Sequence, residues 1–238
     1  PVGMSEQYHT ETLLRLPYSA AYQAPVDAPH IEPLPALATG MFTFACLNNP
    51  MKINLPLVAL WSRILAAVPN SRLALGNMEF PETRDAVLGW FAQNGIDQSR
   101  LLLLQTMSMP DYLAAHHHVD LALDTFPYCG GTTTNHSLWM GVPVLTLSGD
   151  TSVSRIGGVL ASRVGLPQFV VDTPEEYVAR AIAIATDLPA LESIRKDLRA
   201  RMTQLTALDP HVFIAHVETA FRDAWRRWCG QRLSVAQG

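Results

Sequence analysis

The feature that most constrains the fold is a regular alternation of short apolar runs with longer amphipathic segments between residues 41 and 171. The apolar runs predict strands and the segments between them predict helices. The strands are expected at 41–47, 72–75, 101–105, 119–124, 143–147 and 168–171, and the helices at 55–68, 82–94, 110–117, 132–140 and 151–163. Most of these strands are apolar on both faces, which is typical of parallel strands covered by helices on both sides. The sequence therefore predicts an α/β fold with a Rossmann-like, doubly wound parallel sheet.

The segments that flank this region have other patterns. Residues 24–35 are rich in proline, which interrupts helices and inner strands. We interpret them as a linker or as a connector along the edge of the domain. Beyond residue 173 the pattern is helical only, with segments expected at 174–185, 189–205 and 210–228.

Composition and charge narrow the possible functions and the compartment. A formal net charge of -4 argues against a nucleic-acid partner, because such partners usually require a basic face. The three cysteines, Cys46, Cys129 and Cys229, form no CxxC motif, so we expect a reducing compartment rather than a disulfide framework. No secretory signal and no apolar stretch of about 20 residues is visible, so we expect a cytoplasmic protein without a membrane partner. The chain begins with Pro1, and we expect it to be a fragment of a longer protein.

Candidate ligand-binding residues follow the predicted strands, because ligands of doubly wound sheets lie outside the carboxyl ends of the strands. The most distinctive segment is Gly130-Gly131-Thr132-Thr133-Thr134, where a strand passes through a turn into a helix. Glycines allow close approach of the backbone, and the first amides of a helix attract anions. The segment therefore predicts a phosphate site, with a plain turn and a threonine N-cap as the alternative.

A lysine follows the first predicted strand. Lys52 is one of only two lysines in the chain, and Asn49 precedes it in the same loop. An ammonium group at a strand end can bind a diphosphate as a point charge, and an amide can donate to an oxygen. The alternative is an ordinary solvated loop lysine.

Two further strand ends carry candidate residues. Tyr112 offers an aromatic face on which a base can stack, and the backbone near Met107 offers an amide to the edge of the base. A half-buried tyrosine in a first helical turn is the alternative interpretation. The turn at 148–155 faces the same crevice and either contacts a sugar or an acceptor, or is a capped helix start with Arg155 in a surface ion pair.

Several classes of site are not predicted. The consecutive histidines 116–118 project about 100° apart on a helix, so they cannot converge on one metal ion. No Asp-x-Asp sequence is available to hold a metal-bound diphosphate, so we expect neither a metal nor another cofactor. The absence of GxGxxG, GxxxxGK[ST] and GxSxG motifs disfavours dinucleotide oxidoreductases, P-loop enzymes and α/β-hydrolases.

Several short motifs in order resemble one known family. They are Leu123-Asp124-Thr125, Gly130-Gly131-Thr132-Thr133, the run from Leu138 to Thr146, Gly149-Asp150-Thr151 and Ser154-Arg155. Together they resemble the C-terminal catalytic lobe of the O-linked N-acetylglucosamine transferase family, including its bacterial and SPINDLY-like members. The resemblance implies a GT-B fold of two Rossmann-like lobes. It also implies inverting, metal-independent transfer of GlcNAc from UDP-GlcNAc to serine or threonine hydroxyls of an acceptor protein.

The resemblance also assigns roles to the candidate residues. Lys52 would bind the diphosphate with Asn49 beside it, and Thr132 and Thr133 would bind phosphate. Tyr112 would stack on the base, and the Met107 amide would meet the edge of the base. The chain departs from the family at three positions, Gly131 for a histidine, His136 for an aspartate near the ribose and Met109 for a lysine near the base. These departures leave the ribose contacts and the donor sugar open.

The resemblance divides the chain into three parts. Residues 1–37 would end the N-terminal lobe and include the interlobe linker, residues 38–205 would be the nucleotide-sugar-binding lobe, and residues 206–238 would be a C-terminal helix packing toward the N-terminal lobe. The catalytic base and the acceptor-binding helical repeats would lie upstream, so we expect this chain alone to bind UDP without transferring sugar. Three alternatives remain: a GDP-fucose-dependent protein O-fucosyltransferase, a UDP-sugar epimerase and a non-catalytic nucleotide-binding module.

Overall fold

A computed structural model describes residues 3, 5–17, 22–205 and 209–236. Residues 24–204 form one compact unit, and the described residues of 1–23 and 205–238 belong to a second unit. The domain boundaries at residues 37 and 205 stay predictions. Within the described ranges, no helix combines the length and the apolar character needed to cross a bilayer.

Six parallel strands form the sheet of the larger unit. They are β1 (Phe42–Cys46), β2 (Ser71–Leu75), β3 (Leu101–Leu103), β4 (Leu121–Leu123), β5 (Val144–Leu147) and β6 (Val170–Val171). Their order is β3-β2-β1-β4-β5-β6, and Phe44 on β1 pairs with Leu73 on one side and Leu121 on the other. The order reverses between β1 and β4, as it does in the Rossmann fold. The predicted fold class is confirmed.

Helices connect the strands and continue after the sheet. They are α1 (Pro35–Thr39), α2 (Leu55–Ala67), α3 (Pro81–Gln93), α4 (Met109–Ala115), α5 (Thr132–Trp139), α6 (Ile156–Arg163), α7 (Pro174–Thr186) and α8 (Leu188–Thr203). Several start at a side chain that accepts a hydrogen bond from a first-turn amide. Asn54 caps α2, Ser108 caps α4 and Thr173 caps α7, which satisfies amides that have no acceptor within the helix.

The core lies between the sheet and the helices on both faces. Trp61 on α2 and Tyr177 on α7 are fully buried, and the Trp61 indole N–H donates to the Tyr177 hydroxyl over 3.3 Å. The Tyr177 hydroxyl in turn donates to the carbonyl of Asp124, just beyond β4, over 3.1 Å. The two hydrogen bonds link α2 and α7 to the end of β4 at the centre of the sheet. The large apolar areas of the two buried rings add to the stability of this contact.

The start of one helix, α6, differs from the sequence expectation. α6 begins at Ile156 rather than at residue 151, because residues 151–155 form a separate turn. The Thr151 amide donates to the Ser154 hydroxyl over 3.1 Å, and the Arg155 guanidinium donates to the carbonyls of Gly149 and Asp150. These hydrogen bonds hold residues 151–155 in a turn of their own, so α6 starts only after that turn.

The proline-rich segment runs along the unit as a connector and ends in α1. The helix α1 was not predicted from the sequence. Pro35 occupies its first position, with which proline is compatible. The segment is held by Arg195 on α8, whose side chain is fully buried. Its guanidinium donates to the carbonyls of Glu32 at 2.7 Å, Val119 at 2.7 Å and His116 at 3.1 Å.

A buried carboxylate lies beside this contact. Asp120 precedes β4, and its two oxygens accept from the amides of Ala36 at 2.9 Å and Thr43 at 2.8 Å. Burial raises the pKa of Asp120, while these amides and the positive charge of Arg195 act in the opposite direction. The amino edge of the sheet is therefore closed by a network of paired polar groups.

In the second unit, α9 (Pro210–Ala236) is the longest described helix. Phe221, Trp225 and Trp228 are exposed on it, and the rings of the two tryptophans stack with centroids 5.1 Å apart. The packing of this helix toward an N-terminal lobe stays a prediction.

Replacing Arg195 by methionine should lower the free energy of unfolding by about 3–5 kcal/mol. Three carbonyls lose their donor, two of them in buried hydrogen bonds, and Asp120 loses its neighbouring cation. Urea denaturation of the 238-residue chain measures this change. Lys196→Met is the matched control, since Lys196 is the next residue on α8 and lies on the surface in an ion pair with Glu192. A similar small loss in both variants would contradict the structural role of Arg195.

Candidate functional site

A cavity of about 600 Å³ lies over the carboxyl ends of β1, β2 and β3 and the start of α5. This is the edge at which doubly wound sheets bind ligands. Six of the predicted site residues line it: Asn49, Met107, Tyr112, Thr132, Thr133 and His136. The structure therefore brings together predicted residues from the loops after β1 and β3 and from the helices α4 and α5.

The start of α5 presents uncapped amides to this cavity. Gly131 occupies the N-cap position and has no side chain that could accept from the first amides. The amides of Thr132 and Thr133 have no acceptor within the helix, and both residues line the cavity. An anion placed here would receive backbone hydrogen bonds and the favourable end of the helix dipole.

The turn that leads to α5 is fixed by the buried carboxylate of Asp124. One oxygen accepts from the Asn48 side chain at 3.1 Å, the Thr125 amide at 2.9 Å and the Gly130 amide at 2.7 Å. The other oxygen accepts from the Thr146 hydroxyl at 3.0 Å. Burial raises the pKa of Asp124, and the donors from Gly130, Thr146 and Asn48 oppose this rise. The Gly130 amide is consequently committed to the protein rather than to a ligand.

The two glycines of the turn have different roles. A Cβ atom at Gly130 would lie 2.5 Å from the Thr134 hydroxyl oxygen and 2.7 Å from the Asn48 amide oxygen, so this position requires glycine. A Cβ atom at Gly131 would meet no atom within 4 Å. The Thr134 side chain is buried beneath the turn, so a ligand contact from Thr134 is limited to its backbone amide.

Lys52 lies beside the turn that leads to α5. It ends a 3-10 turn that Asn49 caps by accepting from the Met51 amide at 2.9 Å. Its ammonium donates to the Cys129 carbonyl at 2.9 Å and lies 4.2 Å from the centroid of the Tyr128 ring. Burial lowers the pKa of Lys52, and the negative charge of Asp124 opposes this effect.

Lys52 faces a second cavity, of about 460 Å³, rather than the first. This second cavity is lined by Asn49, Met51, Lys52, Asn54, Pro127 and Tyr128. Asn49 and Met51 line both cavities, so the loop after β1 forms the boundary between them.

Two rings, those of Tyr112 and His136, form part of the wall of the first cavity. The Tyr112 ring meets the buried His116 ring edge-on at 5.1 Å and the His136 ring edge-on at 5.5 Å. Burial lowers the pKa of His136, which favours the neutral imidazole. Met107 and Met109 lie nearby along the same wall.

The sequence analysis did not identify the residues that follow β2. Asn77, Glu79 and Phe80 line the cavity, and the Glu79 carboxylate accepts from the Thr106 hydroxyl at 2.6 Å. This hydrogen bond lowers the pKa of Glu79. The strand-end rule that selected the other segments applies equally to residues 76–80, and it would have found them.

Two other sequence hypotheses concerned the turn at 148–155 and metal binding. The turn is closed by its own hydrogen bonds, and Arg155 donates to backbone carbonyls there. Among the residues that the structure describes, no cluster of three or more His, Cys, Asp and Glu side chains has the arrangement of a metal site.

Comparison with known proteins identifies related sequences. A family model described as glycosyl transferase family 41 matches residues 34–217. A Hordeum vulgare protein, named as a probable UDP-N-acetylglucosamine-peptide N-acetylglucosaminyltransferase SPINDLY, is 38% identical over 229 residues, which are 94% of this chain and 24% of that protein. A Caenorhabditis elegans UDP-N-acetylglucosamine-peptide N-acetylglucosaminyltransferase is 27% identical over 236 residues, covering 95% of this chain and 19% of that protein. The chain thus spans about a quarter or less of the length of these relatives.

Solved structures show the same architecture. A mutant of the Thermobaculum terrenum O-GlcNAc transferase is 33% identical and superposes with a TM-score of 0.85, covering 96% of this chain and 44% of that one. Sucrose-phosphate synthase from Thermosynechococcus elongatus, at 12% identity, has a TM-score of 0.56 over 84% of this chain and 52% of its own. The fold is therefore that of the C-terminal lobe of GT-B glycosyltransferases.

Removing the Asp124 side chain should destabilise the protein. Asp124→Ala removes the acceptor of four buried donors, so we expect a loss of about 3–5 kcal/mol in the free energy of unfolding. Asp124→Asn should cost only about 1–2 kcal/mol, because its amide group can donate to the Thr146 hydroxyl while its oxygen accepts from the other donors. Denaturant unfolding of both variants measures this order, with exposed Asp150→Ala as the control. Equal losses in the Ala and Asn variants would contradict the hydrogen-bonding account.

The buried His116 predicts a pH dependence of stability. Burial lowers its pKa from the usual 6.5 to about 4, so the unfolded chain binds a proton that the folded chain does not. Stability is then complete above pH 6.5 and is lost as the pH falls through 6.5 toward 4. Between pH 7.5 and pH 5 we expect the free energy of unfolding to fall by about 2 kcal/mol more in the wild type than in His116→Gln.

Urea titrations at the two pH values provide the measurement. The control is His118→Gln, which changes an exposed histidine two residues away and should retain the wild-type pH dependence. The same dependence in His116→Gln as in the wild type would exclude His116 as its source.

Proposed function

Because this chain belongs to glycosyl transferase family 41, we propose that it is the donor-nucleotide-binding lobe of a glycosyltransferase that moves GlcNAc from UDP-GlcNAc to protein serine or threonine hydroxyls. The named activities of the plant and nematode relatives support this substrate class. The observation that carries the proposal is the uncapped start of α5 beside the Lys52 ammonium, which donates to the carbonyl of Cys129 in the turn before that helix.

The proposed diphosphate site combines two kinds of positive potential. The amides of Thr132 and Thr133 supply directed hydrogen bonds, and Lys52 supplies a full charge next to the same turn. Fixed donors of this kind need little reorganisation when charge develops on a ligand. We therefore assign the diphosphate to the boundary between the two cavities, where it can reach both the α5 start and Lys52.

The proposed nucleoside site is the first cavity. A volume of about 600 Å³ lies within the range of small-molecule sites, and its wall offers the Tyr112 ring and the backbone near Met107. Uracil would stack on Tyr112 and receive a hydrogen bond from this backbone. The ribose would then lie toward His136, between the base and α5.

The proposed chemistry is an inverting displacement. An acceptor hydroxyl attacks the anomeric carbon of the sugar while the bond from that carbon to the diphosphate oxygen breaks, and UDP leaves with the bonding electron pair. Lys52 and the α5 amides would stabilise the negative charge that grows on the β-phosphate, so that no metal ion is needed for this purpose. The base that takes the hydroxyl proton would belong to the preceding lobe, and we place the complete enzyme in the cytoplasm.

Titration of the 238-residue chain with UDP, GDP and ADP by calorimetry tests the proposal. We expect UDP to bind best, and Lys52→Ala to weaken UDP binding by about 10-fold to 100-fold, because a hydrogen bond to a charged group is lost. Lys196→Ala is the matched control, since it removes the other lysine of the chain from an exposed position on α8. A preference for GDP would contradict UDP-GlcNAc as the donor, and equal effects of the two lysine variants would contradict the role of Lys52.

The same substitution tests the chemistry when the chain is produced together with its preceding lobe. Lys52→Ala should then lower the rate of glycosyl transfer to an acceptor peptide by about 10²-fold or more, as the loss of a transition-state donor does elsewhere. Unchanged turnover would contradict the stabilisation of the leaving group by Lys52. Isomerisation of the sugar without an acceptor would instead identify an epimerase.

A further inference from the structure

The Lys52 ammonium has two partners provided by adjacent residues of one loop. It donates to the carbonyl of Cys129 at 2.9 Å, and it lies over the face of the Tyr128 ring at 4.2 Å from the centroid. An ammonium group has three N–H donors in a roughly tetrahedral arrangement. One is donated to the Cys129 carbonyl and the ring lies on another side of the nitrogen, which leaves a further N–H group for a ligand.

The Tyr128 ring is otherwise unusual for its exposure. Slightly more than half of this residue, 52%, is accessible to solvent, and it lines the second cavity together with Lys52. Aromatic residues of this size normally gain stability by burial, and here the ring contributes little to the core. The ring lies in cation–π contact with the Lys52 ammonium. Its contribution to the site is therefore the electrostatic attraction between the ring face and this charge.

The loop of Tyr128 and the turn of Lys52 are also joined by the side chain of Asn54, which contacts a backbone carbonyl in each. The Asn54 amide group donates to the carbonyl of Phe126 at 2.7 Å and lies 3.4 Å from the carbonyl of Lys52. The ring and the lysine are therefore held on neighbouring, connected segments. A single hydrogen bond to Cys129 would still allow the ammonium to turn about that bond, and the ring supplies a second direction that limits this rotation.

We propose that Tyr128 is a positioning residue, whose ring holds the Lys52 ammonium so that its remaining N–H group faces the diphosphate of the donor. The inference rests on the proposed function, because it assumes that the ligand of Lys52 is a diphosphate. It extends that function to a residue of the second cavity that acts through Lys52 and does not itself contact the phosphates.

A double-mutant cycle separates this role from direct contact with the ligand. We expect Tyr128→Leu to weaken binding of UDP and of inorganic pyrophosphate by roughly 3-fold to 10-fold, the range of a cation–π contact. Tyr128→Phe keeps the aromatic face and should bind much more tightly than Tyr128→Leu. In a Lys52→Ala background, Tyr128→Leu should cause no further loss, because the group that it positions is already absent. Tyr8→Leu, which changes a tyrosine in the other unit that is 79% exposed, controls for the loss of an exposed ring.

An NMR measurement tests the positioning without any ligand. The chain has only two lysines, so the Lys52 ε-CH₂ signal can be assigned by its disappearance in Lys52→Ala. The Tyr128 ring current should shift this signal upfield relative to that of Lys196, and the shift should vanish in Tyr128→Leu and persist in Tyr128→Phe.

Each result bears on one of the two proposals. An undiminished loss from Tyr128→Leu in the Lys52→Ala background would show that the ring contacts the ligand directly, and an absent upfield shift would show that the ring does not hold the ammonium. Either result overturns the positioning role. If the upfield shift is present but UDP, GDP and pyrophosphate all fail to bind, the contact between the residues stands and the proposed function is the part that fails.

Discussion

The buried carboxylate of Asp124 accepts hydrogen bonds from the loop after β1, from the turn before α5 and from β5. Its own backbone carbonyl accepts from Tyr177 on α7. A charge that is fully removed from water is tolerated only when its lone pairs are satisfied, so these partners must all keep their positions together. The shape of the turn before α5, including the direction of the first α5 amides, follows from this one group.

Much of the fold could be predicted because periodicity reports burial directly. Apolar runs separated by amphipathic segments predicted the six strands and their parallel arrangement, and the family resemblance is confirmed by the match over residues 34–217. Element boundaries depended on contacts that no local pattern contains. The hydrogen bonds between Thr151 and Ser154 delay the start of α6. The helix α1 starts where the Ala36 amide donates to the Asp120 carboxylate.

The site could be predicted in position more readily than in orientation. Because parallel strands end at one edge, the strand-end rule collected residues that prove to be neighbours, and Asn49, Tyr112 and Thr133 line a single cavity. Whether a side chain faces the ligand or the core depends on packing between distant segments. Thr134 is buried under Gly130, and the Lys52 ammonium lies against Tyr128, and neither orientation could be derived from spacing alone. The roles of these residues toward a ligand stay predictions.

The connector anchored by Arg195 and Asp120 lies at the amino edge of the sheet, whereas the ligand cavity lies at the carboxyl edge. The polar network that secures the chain segment before β1 uses none of the residues that line the cavity, and it adjoins the cavity at His116, whose carbonyl accepts from Arg195 and whose ring packs against Tyr112. Substitutions of residues that line the cavity can therefore change its surface while the anchoring network remains intact. This separation lets residues that line the cavity vary without disturbing the amino edge, whereas the Asp124 network ties the turn before α5 to the stability of the scaffold.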